Sequence, residues 1–198
     1  MRALLLDRDG VMNRERADYV KNWGEFELLP GALVALSALA SFDGKIVVIT
    51  NQSAIGRGLV ERATVDEIHR KLLELVVSNG GRIDAFFVCP HHPDEQCACR
   101  KPKPGLLLQA AAAFALHLPD CVFVGDAISD FLAAQAAGCA SILVQTGRAG
   151  ASLPALLAQH SHGESGDPAP QPAALIAPDL AAVVAILSQR NMLIGTNV

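Results

Sequence analysis

The sequence contains no apolar run that approaches the roughly 20 residues a membrane-spanning helix requires, so we expect no membrane partner. It also lacks an excess of positive charge, because 16 Lys and Arg residues stand against 20 Asp and Glu residues and give a formal net charge of −4. A chain with this charge has no general attraction for nucleic acid. Any phosphate-binding site must therefore be built from a few local cations.

Cysteine is scarce and does not form the pattern of a disulfide framework. There are five cysteines, an odd number, and three of them, Cys89, Cys97 and Cys99, lie close together. Clustered cysteines of this kind indicate metal binding in a reducing compartment. The first apolar segment begins at once and leaves no room for a signal peptide, which also favours a cytoplasmic location.

Hydrophobic residues, in contrast, make up 51% of the chain, which argues against disorder. The length of 198 residues suits one domain, 1–198, with a full-sized core, and we expect a monomer. Short apolar segments alternate with helical periodicities, which predicts right-handed parallel crossovers. The expected fold is α/β, a single doubly wound, Rossmann-like parallel sheet with helices on both faces and no large cap domain.

The hydrophobic pattern places five buried strands, at residues 3–7, 45–50, 85–89, 121–126 and 140–144. It places helices at residues 31–40, 63–79, 104–117 and 179–190, and one more near residue 130. Residues 10–30 lack periodicity, and so long a connection is usually functional, so they predict a flap after the first strand. Residues 149–173 predict a flexible loop, and residues 175–176 a short apolar segment.

Two carboxylates, Asp7 and Asp9, end the first predicted strand. Residues i and i+2 of a strand point to the same face, so the two carboxylates leave the sheet side by side. Parallel sheets bind ligands at this end of their strands. One carboxylate can attack as a nucleophile while the other carries a proton, and their repulsion predicts a cation, most favourably Mg2+. Asp and Gly also end many strands in ordinary turns. The residues at the ends of the other strands must therefore show whether this acidic pair belongs to a functional site.

The second and third predicted strands also end in polar groups. Thr50, Asn51 and Ser53 follow the second strand, and their hydroxyl and amide groups suit a phosphate. Arg100 and Lys101 follow the third strand. A lysine can place a fixed charge on a phosphoryl group, and an arginine can bind a second phosphate through two parallel hydrogen bonds.

The fourth predicted strand ends in Asp126, which can complete a metal site with Asp7 and a backbone carbonyl near Asp9. Asp130 follows four residues later, at the start of the next helix. We expect it to cap or support this loop rather than to bind the metal.

The loop 89–99 carries four soft metal ligands in two tight pairs, Cys89 with His91 and Cys97 with Cys99. Four such ligands on a short loop that contains proline match a closed tetrahedral zinc site. His92 could replace His91 as the fourth ligand. A closed site leaves no open position for catalysis, so we expect Zn2+ to stabilise the loop.

In four ordered motifs the chain resembles the haloacid dehalogenase-like phosphatase superfamily. The resemblance covers residues 3–148, and its motifs are Asp7-x-Asp9-Gly10, Thr50-Asn51, Lys101-Pro102 and Gly125-Asp126-x3-Asp130. It implies a Mg2+-dependent phosphatase in which Asp7 attacks phosphorus to form an aspartyl-phosphate. Asp9 would protonate the leaving alkoxide and then activate water. Mg2+ would be held by Asp7, Asp126 and the backbone carbonyl of Asp9, and would act with Thr50 and Lys101 on the phosphoryl charge.

Within that superfamily the chain looks like two related groups, the heptose-bisphosphate 7-phosphatases and the histidinol-phosphate phosphatases. Ser53 and Tyr19 favour the first group, which implies a small sugar-phosphate substrate, D-glycero-D-manno-heptose 1,7-bisphosphate. Arg100 would hold the distal part of this substrate, and Asn51, Ser53 and Tyr19 would add contacts.

Three alternatives stay open at this point. The first is a histidinol-phosphate phosphatase. The second is a phosphoaspartate signalling domain, which also combines an acidic pair, a threonine and a lysine on a doubly wound sheet. The third is a zinc-stabilised binding module without turnover. The zinc loop and an Asp9 able to hydrolyse a phosphoenzyme speak against the signalling domain.

Overall fold

The computed structural model describes residues 1–160, 174–190 and 192–193. Six strands form one all-parallel sheet in the order β3-β2-β1-β4-β5-β6. They are β1 (Ala3–Leu6), β2 (Lys45–Asn51), β3 (Ala85–Cys89), β4 (Cys121–Gly125), β5 (Ala140–Val144) and β6 (Leu175–Ala177). The predicted α/β class and parallel sheet are therefore confirmed.

Seven α-helices lie within the described part of the chain. They are α1 (Ala32–Ala38), α2 (Ser53–Gly56), α3 (Arg62–Ser78), α4 (Gly105–Phe114), α5 (Ile128–Ala136), α6 (Leu153–His160) and α7 (Leu180–Gln189). Among these residues no helix is long and apolar enough to cross a membrane. They also contain no large cap domain.

The central strand β1 is fully buried because both faces of the sheet are covered. Leu4 and Leu6 point to one face and share a core with α1, α3 and α7. Ala3 and Leu5 point to the other face and share a core with α4 and α5. This explains the continuous apolar run of β1, and it confirms that helices pack on both faces.

The order in which successive strands are added to the sheet reverses beside β1. Strands β2 and β3 extend from β1 to one side, and β4, β5 and β6 extend to the other. Leu6 lies between Val48 and Val124 in register, so the ends of β1, β2 and β4 meet at one edge. This is the switch point at which open α/β sheets bind ligands.

The prediction of a loop at 149–173 is wrong in its first part. Residues 150–152 form a 3-10 turn and α6 follows, while residues 161–173 lie outside the described residues. Leu153 and Leu157, one helical turn apart, pack against Phe131 and Leu143. Pro154 is compatible with this helix because it lies in the first turn, where a missing backbone N–H costs little.

The short apolar segment at 175–176 is part of the edge strand β6, which pairs in parallel with β5. The flap after β1 contains a single 3-10 turn, Trp23–Glu25, between residues 10 and 30. Val20 and Phe26 anchor the flap to the core, and Trp23 stacks on Phe26 with ring centroids 5.0 Å apart. The flap is therefore tied to the sheet by packing.

Candidate active site

Asp7 follows β1 directly, and its backbone N–H continues the ladder to β4 by donating to the Val124 carbonyl at 2.8 Å. Its carboxylate contacts the buried ammonium of Lys101, with 2.8 Å between Asp7 Oδ2 and Lys101 Nζ. The same ammonium lies 2.7 Å from Asp130 Oδ1 and donates to the Ile49 carbonyl at 3.2 Å. Burial would lower the pKa of Lys101, but the carboxylates of Asp130 and Asp7 outweigh it, so the pKa is raised and the ammonium stays charged.

Three carboxylates crowd this end of the sheet, because oxygens of Asp7, Asp126 and Asp130 lie within 4.8 Å of one another. Burial raises the pKa of Asp7 to about 7, and the charges of Asp130 and Asp9 add to the rise while Lys101 opposes it. Burial and the charges of Asp130 and Asp7 raise the pKa of Asp126 to about 9. When all three carboxyl groups are ionised, they and the one ammonium leave two negative charges, which fits a divalent cation with oxygen ligands that displaces the bound protons.

Asp130 supports the loop in the way expected from the sequence. Its Oδ2 accepts hydrogen bonds from the backbone N–H groups of Asp126 and Ala127, both at 3.1 Å. Asp130 is also a member of the carboxylate cluster. It therefore connects Lys101 to the backbone that carries Asp126.

Asp126 lies in a space that two glycines leave open. A Cβ on Gly147 would lie 2.5 Å from the Cβ of Asp126, and a Cβ on Gly10 would lie 2.5 Å from its Cγ. Gly10 also has a φ of +81°, which favours glycine. Thr146 Oγ1 donates to the Gly10 carbonyl at 2.6 Å and joins the loops that carry these glycines.

The carboxylate of Asp9 is not a member of this cluster. It accepts two hydrogen bonds from Arg8 Nη2, at 2.9 and 2.8 Å, one from Asn13 Nδ2 at 2.8 Å and one from Gln52 Nε2 at 2.7 Å. Burial alone would raise the pKa of Asp9, but the charge and hydrogen bonds of Arg8, with those of Asn13 and Gln52, lower it below its ordinary value. Asp9 is therefore held as a carboxylate in this conformation.

The end of β2 contributes Thr50, which is buried and lines the same pocket as Asp7, and Gln52, which donates to Thr50 Oγ1 at 2.9 Å. Asn51 lines the pocket, but its amide binds the backbone of Lys101 on both sides. Its Nδ2 donates to the Lys101 carbonyl, and its Oδ1 accepts from the Lys101 N–H, both at 3.2 Å. Asn51 thus holds the lysine loop against β2.

These groups form the floor of a pocket of about 400 Å³. Its wall includes Ser53, Tyr19 and Arg100, as the sequence predicts for substrate contacts. Arg100 is half-buried, and its Nη1 has no hydrogen-bond partner within the described part of the chain. Tyr19 has a φ of +64°, and the Arg57 guanidinium lies over its ring at 6.0 Å from the centroid.

The pocket has more positive charge than the sequence analysis identified. Besides Arg8 at the end of β1, three further arginines line it, namely Arg16 from the flap, Arg57 after α2 and Arg148 after β5. Arg148 pairs with Glu15 at 2.8 Å, which links the flap to the loop after β5. The roles of Asn13 and Gln52 beside Asp9 were also missed. Only the position of Gln52 next to the predicted phosphate cluster could have indicated one of these residues.

The predicted zinc ligands Cys89, His91, Cys97 and Cys99 lie together. Neighbouring ligand atoms are 3.2–3.6 Å apart, from Cys99 Sγ to His91 Nδ1 at 3.2 Å to Cys89 Sγ to Cys97 Sγ at 3.6 Å. Tetrahedral zinc with Zn–S bonds of about 2.3 Å places its sulfurs about 3.8 Å apart, so the cluster fits that ion. His91 is the histidine in the cluster, since His92 Nδ1 instead accepts the Asp94 N–H at 3.2 Å.

A doubly wound parallel sheet with a buried aspartate and lysine at its switch point, and a polar pocket above them, fits an α/β hydrolase. The family model described as haloacid dehalogenase-like hydrolase matches residues 1–138, and a second HAD-hydrolase-like model matches residues 98–183. The chain belongs to the haloacid dehalogenase-like hydrolase family, and it is a phosphatase of that family.

Curated relatives cover almost the whole chain. The D-glycero-beta-D-manno-heptose-1,7-bisphosphate 7-phosphatase of Pseudomonas aeruginosa is 40% identical over 94% of this chain and 97% of its own. The D-glycero-alpha-D-manno-heptose-1,7-bisphosphate 7-phosphatase of Mycobacterium tuberculosis is 43% identical over 82% of this chain and 94% of its own.

A solved structure also matches almost the whole chain. The D,D-heptose 1,7-bisphosphate phosphatase from B. bronchiseptica, crystallised with magnesium and phosphate, superposes with a TM-score of 0.82 at 41% identity. The match covers 96% of this chain and 99% of that one.

Proposed function

We propose that the chain removes the 7-phosphate of D-glycero-D-manno-heptose 1,7-bisphosphate in the cytoplasm, and thereby supplies nucleotide-activated heptose. Relatives with this activity in their names match most of the chain. The cytoplasmic location rests on five free cysteines, and we propose a monomer.

The observation that carries the substrate proposal is the division of the pocket into two charged parts. The floor has the nucleophile candidate Asp7 with Lys101, which suits a phosphoryl group under attack. The wall has four arginines, Arg16, Arg57, Arg100 and Arg148. A substrate with two phosphates, one at each end of a sugar, satisfies both parts. Histidinol phosphate has a cationic amino group at its far end, which Arg57 and Arg100 would repel, because no carboxylate of the described residues pairs with either of them. The other two arginines are already paired, Arg16 with Asp18 and Arg148 with Glu15.

In the proposed reaction the carboxylate of Asp7 attacks phosphorus. The bond from phosphorus to the sugar oxygen breaks, and an aspartyl-phosphate forms on Asp7. The Lys101 ammonium and the Thr50 hydroxyl lie at the floor and balance the charge that develops on the phosphoryl oxygens. Water then attacks the phosphorus, releases phosphate and returns Asp7 to its starting state.

Asp9 is the proposed proton carrier for both steps. It gives a proton to the leaving sugar oxygen and later accepts one from the attacking water. Three side chains hold Asp9 as a carboxylate in this conformation. A phosphate dianion bound beside it raises its pKa, because a nearby like charge disfavours ionisation, so protonation of Asp9 is coupled to substrate binding.

Mg2+ fits the residues at the floor. Asp7 and Asp126 would hold it with the backbone carbonyl of Asp9, and the two uncompensated negative charges of the cluster are the observation that supports it. When bound, Mg2+ neutralises charge on the transferring phosphoryl group. Structural Zn2+ is proposed at Cys89, His91, Cys97 and Cys99, since their ligand atoms match a tetrahedral ion.

The test is phosphate release with Mg2+ from both anomers of heptose 1,7-bisphosphate, compared with histidinol phosphate. We expect kcat/KM for a bisphosphate anomer to exceed that for histidinol phosphate by at least about tenfold, equivalent to about 1.4 kcal/mol. Asp7→Asn should abolish activity while the variant still folds. Equal turnover of histidinol phosphate would refute the substrate, and full activity of Asp7→Asn would refute the mechanism.

A further inference from the structure

The side chain of Arg8 is an unusual feature, because its guanidinium is 1% exposed and lies between the polar pocket and the core residue Phe26. Its Nη2 donates to both oxygens of Asp9, and its guanidinium lies over the Phe26 ring at 5.8 Å from the centroid. Its Nε has no hydrogen-bond partner within the described residues. A buried charge with few partners depends strongly on each of them.

The other end of the guanidinium is held by His69, far away in the sequence. Arg8 Nη1 lies 3.2 Å from His69 Nε2. Arginine has only donors, so Nε2 must accept and the proton of the neutral ring is on Nδ1. Burial and the charge of Arg8 lower the pKa of His69 to about 3, which keeps the ring a neutral acceptor.

The His69 ring is itself fixed in place. It is 4% exposed on α3 and stacks on Phe86 of β3, with ring centroids 4.5 Å apart and an angle of 10° between the planes. A continuous set of contacts therefore runs from Phe86 through His69 and Arg8 to Asp9. Helix α3 and strand β3 hold one end of this set, and the proposed proton carrier is the other end.

We infer that His69 is a positioning residue for proton transfer. It fixes the plane of the Arg8 guanidinium, and Arg8 in turn orients both oxygens of Asp9 through the two hydrogen bonds that its Nη2 donates. The inference rests on the acid–base role proposed for Asp9. Without an acceptor at position 69, Arg8 Nη1 loses its partner and the Arg8 guanidinium can rotate. Asp9 then spends less time in the orientation that proton transfer requires.

Leaving groups of different basicity separate this role from simple stabilisation. In the first step a sugar alkoxide needs a proton as it departs, whereas 4-nitrophenoxide leaves without one, so in that step only the sugar reaction depends on the orientation of Asp9. The second step, in which Asp9 takes a proton from water, is the same for both substrates, so the two are compared by kcat/KM, which reports the first step. Loss of folded enzyme would lower both rates equally. The variants are His69→Leu, which removes the acceptor, and His69→Gln, which can accept through its amide oxygen. Ile68→Val is the matched control, because Ile68 is a buried core residue adjacent to His69 on α3.

The measurement is kcat/KM with Mg2+ for heptose 1,7-bisphosphate and for 4-nitrophenyl phosphate. In His69→Leu we expect kcat/KM for the bisphosphate to fall about tenfold, less than the 10²–10⁴-fold that acid–base catalysis supplies, with kcat/KM for the aryl ester nearly unchanged. His69→Gln should recover most of the loss, and Ile68→Val should keep the wild-type ratio of the two rates.

Asp9→Asn measured in parallel keeps the proposed function separate from this inference. If Asp9→Asn loses bisphosphate hydrolysis selectively and His69→Leu keeps the wild-type ratio, the acid–base role stands and the inference about His69 is wrong. If His69→Leu lowers both rates by the same factor, or if Gln fails to rescue, His69 is structural only. If Asp9→Asn keeps full bisphosphate activity, the acid–base role itself fails.

Discussion

Replacing His69 with glutamine should make the free energy of unfolding fall less steeply between pH 8 and pH 5. The folded-state pKa of His69, about 3, lies below the value of about 6.5 for an exposed histidine. Burial is the main cause, Arg8 and Arg62 add to it with their positive charges, and Asp9 opposes them. As pH falls, the unfolded chain therefore binds a proton at this site before the folded chain does.

The magnitude follows from these two pKa values. The contribution of neutral His69 to stability is fully present above about pH 6.5 and is lost progressively as pH falls towards 3. At pH 5 the unfolded chain is favoured by RT ln(1 + 10^1.5), which is about 2 kcal/mol, while at pH 8 the effect is near zero. Glutamine has no titratable group, so the variant lacks this term. The free energy of unfolding of wild type, minus that of His69→Gln, should drop by about 2 kcal/mol between pH 8 and pH 5.

Urea unfolding of both proteins at pH 8, 7, 6 and 5, with fixed Mg2+ and Zn2+, measures this difference directly. Changes at carboxylates and metal sites are shared by the two proteins and cancel in the subtraction. Ile68→Val, which removes no titratable group from the same buried stretch of α3, is the control and should follow the wild-type pH dependence. Parallel curves for wild type and His69→Gln would refute the reasoning, because they would mean that His69 titrates in the folded state as it does in the unfolded chain.

Three further outcomes follow from the site. Gly147→Ala should raise the Mg2+ concentration for half-maximal activity by about tenfold or more, because the new Cβ meets Asp126. The control Gly138→Ala, which has open space around its Cβ, should lose stability only. Cys97→Ser should lower Tm and lose its bound zinc, as measured by elemental analysis, whereas Cys139→Ser should keep one zinc per chain. A wild-type protein that contains no zinc would contradict this prediction. Mg2+ should raise Tm more at pH 8 than at pH 5.5, because two floor carboxyls with raised pKa values must lose protons to bind it, and an equal rise would contradict the assignment.

The structure brings together those predicted residues whose signal in the sequence is local. Asp7 follows a strand and Lys101 a loop whose patterns identify them, and the side chains of the two residues meet at 2.8 Å. The four predicted zinc ligands likewise fall within eleven positions and lie together. Helix α6 was missed because its apolar spacing is short and is mixed with Ala and Pro, and its burial depends on contacts with Phe131 and Leu143.

The features that the sequence did not indicate depend on contacts between distant segments. The arginines at 16, 57 and 148 come from three separate loops, and a local pattern cannot tell a solvated arginine from one that lines a pocket. His69 looks like one polar residue among several on an amphipathic helix, and its role depends on Arg8 and Phe86. The contact of Asn51 is equally hidden in the sequence, because its amide binds the backbone of Lys101, which lies 50 positions away.

The loop 89–99 bears on the proposed chemistry through the position of Lys101. Cys99, the last proposed zinc ligand, is two residues before Lys101, so a fixed loop end limits where the lysine backbone can lie. Asn51 binds that backbone on both sides and ties it to β2 independently of the loop. The ammonium then lies between Asp7 and Asp130, whose charges it balances. A displaced Lys101 would leave these carboxylates buried without their cation, which costs more than the loss of one surface ion pair. The two supports on its backbone therefore protect both the stability of the floor and the charge balance that catalysis needs.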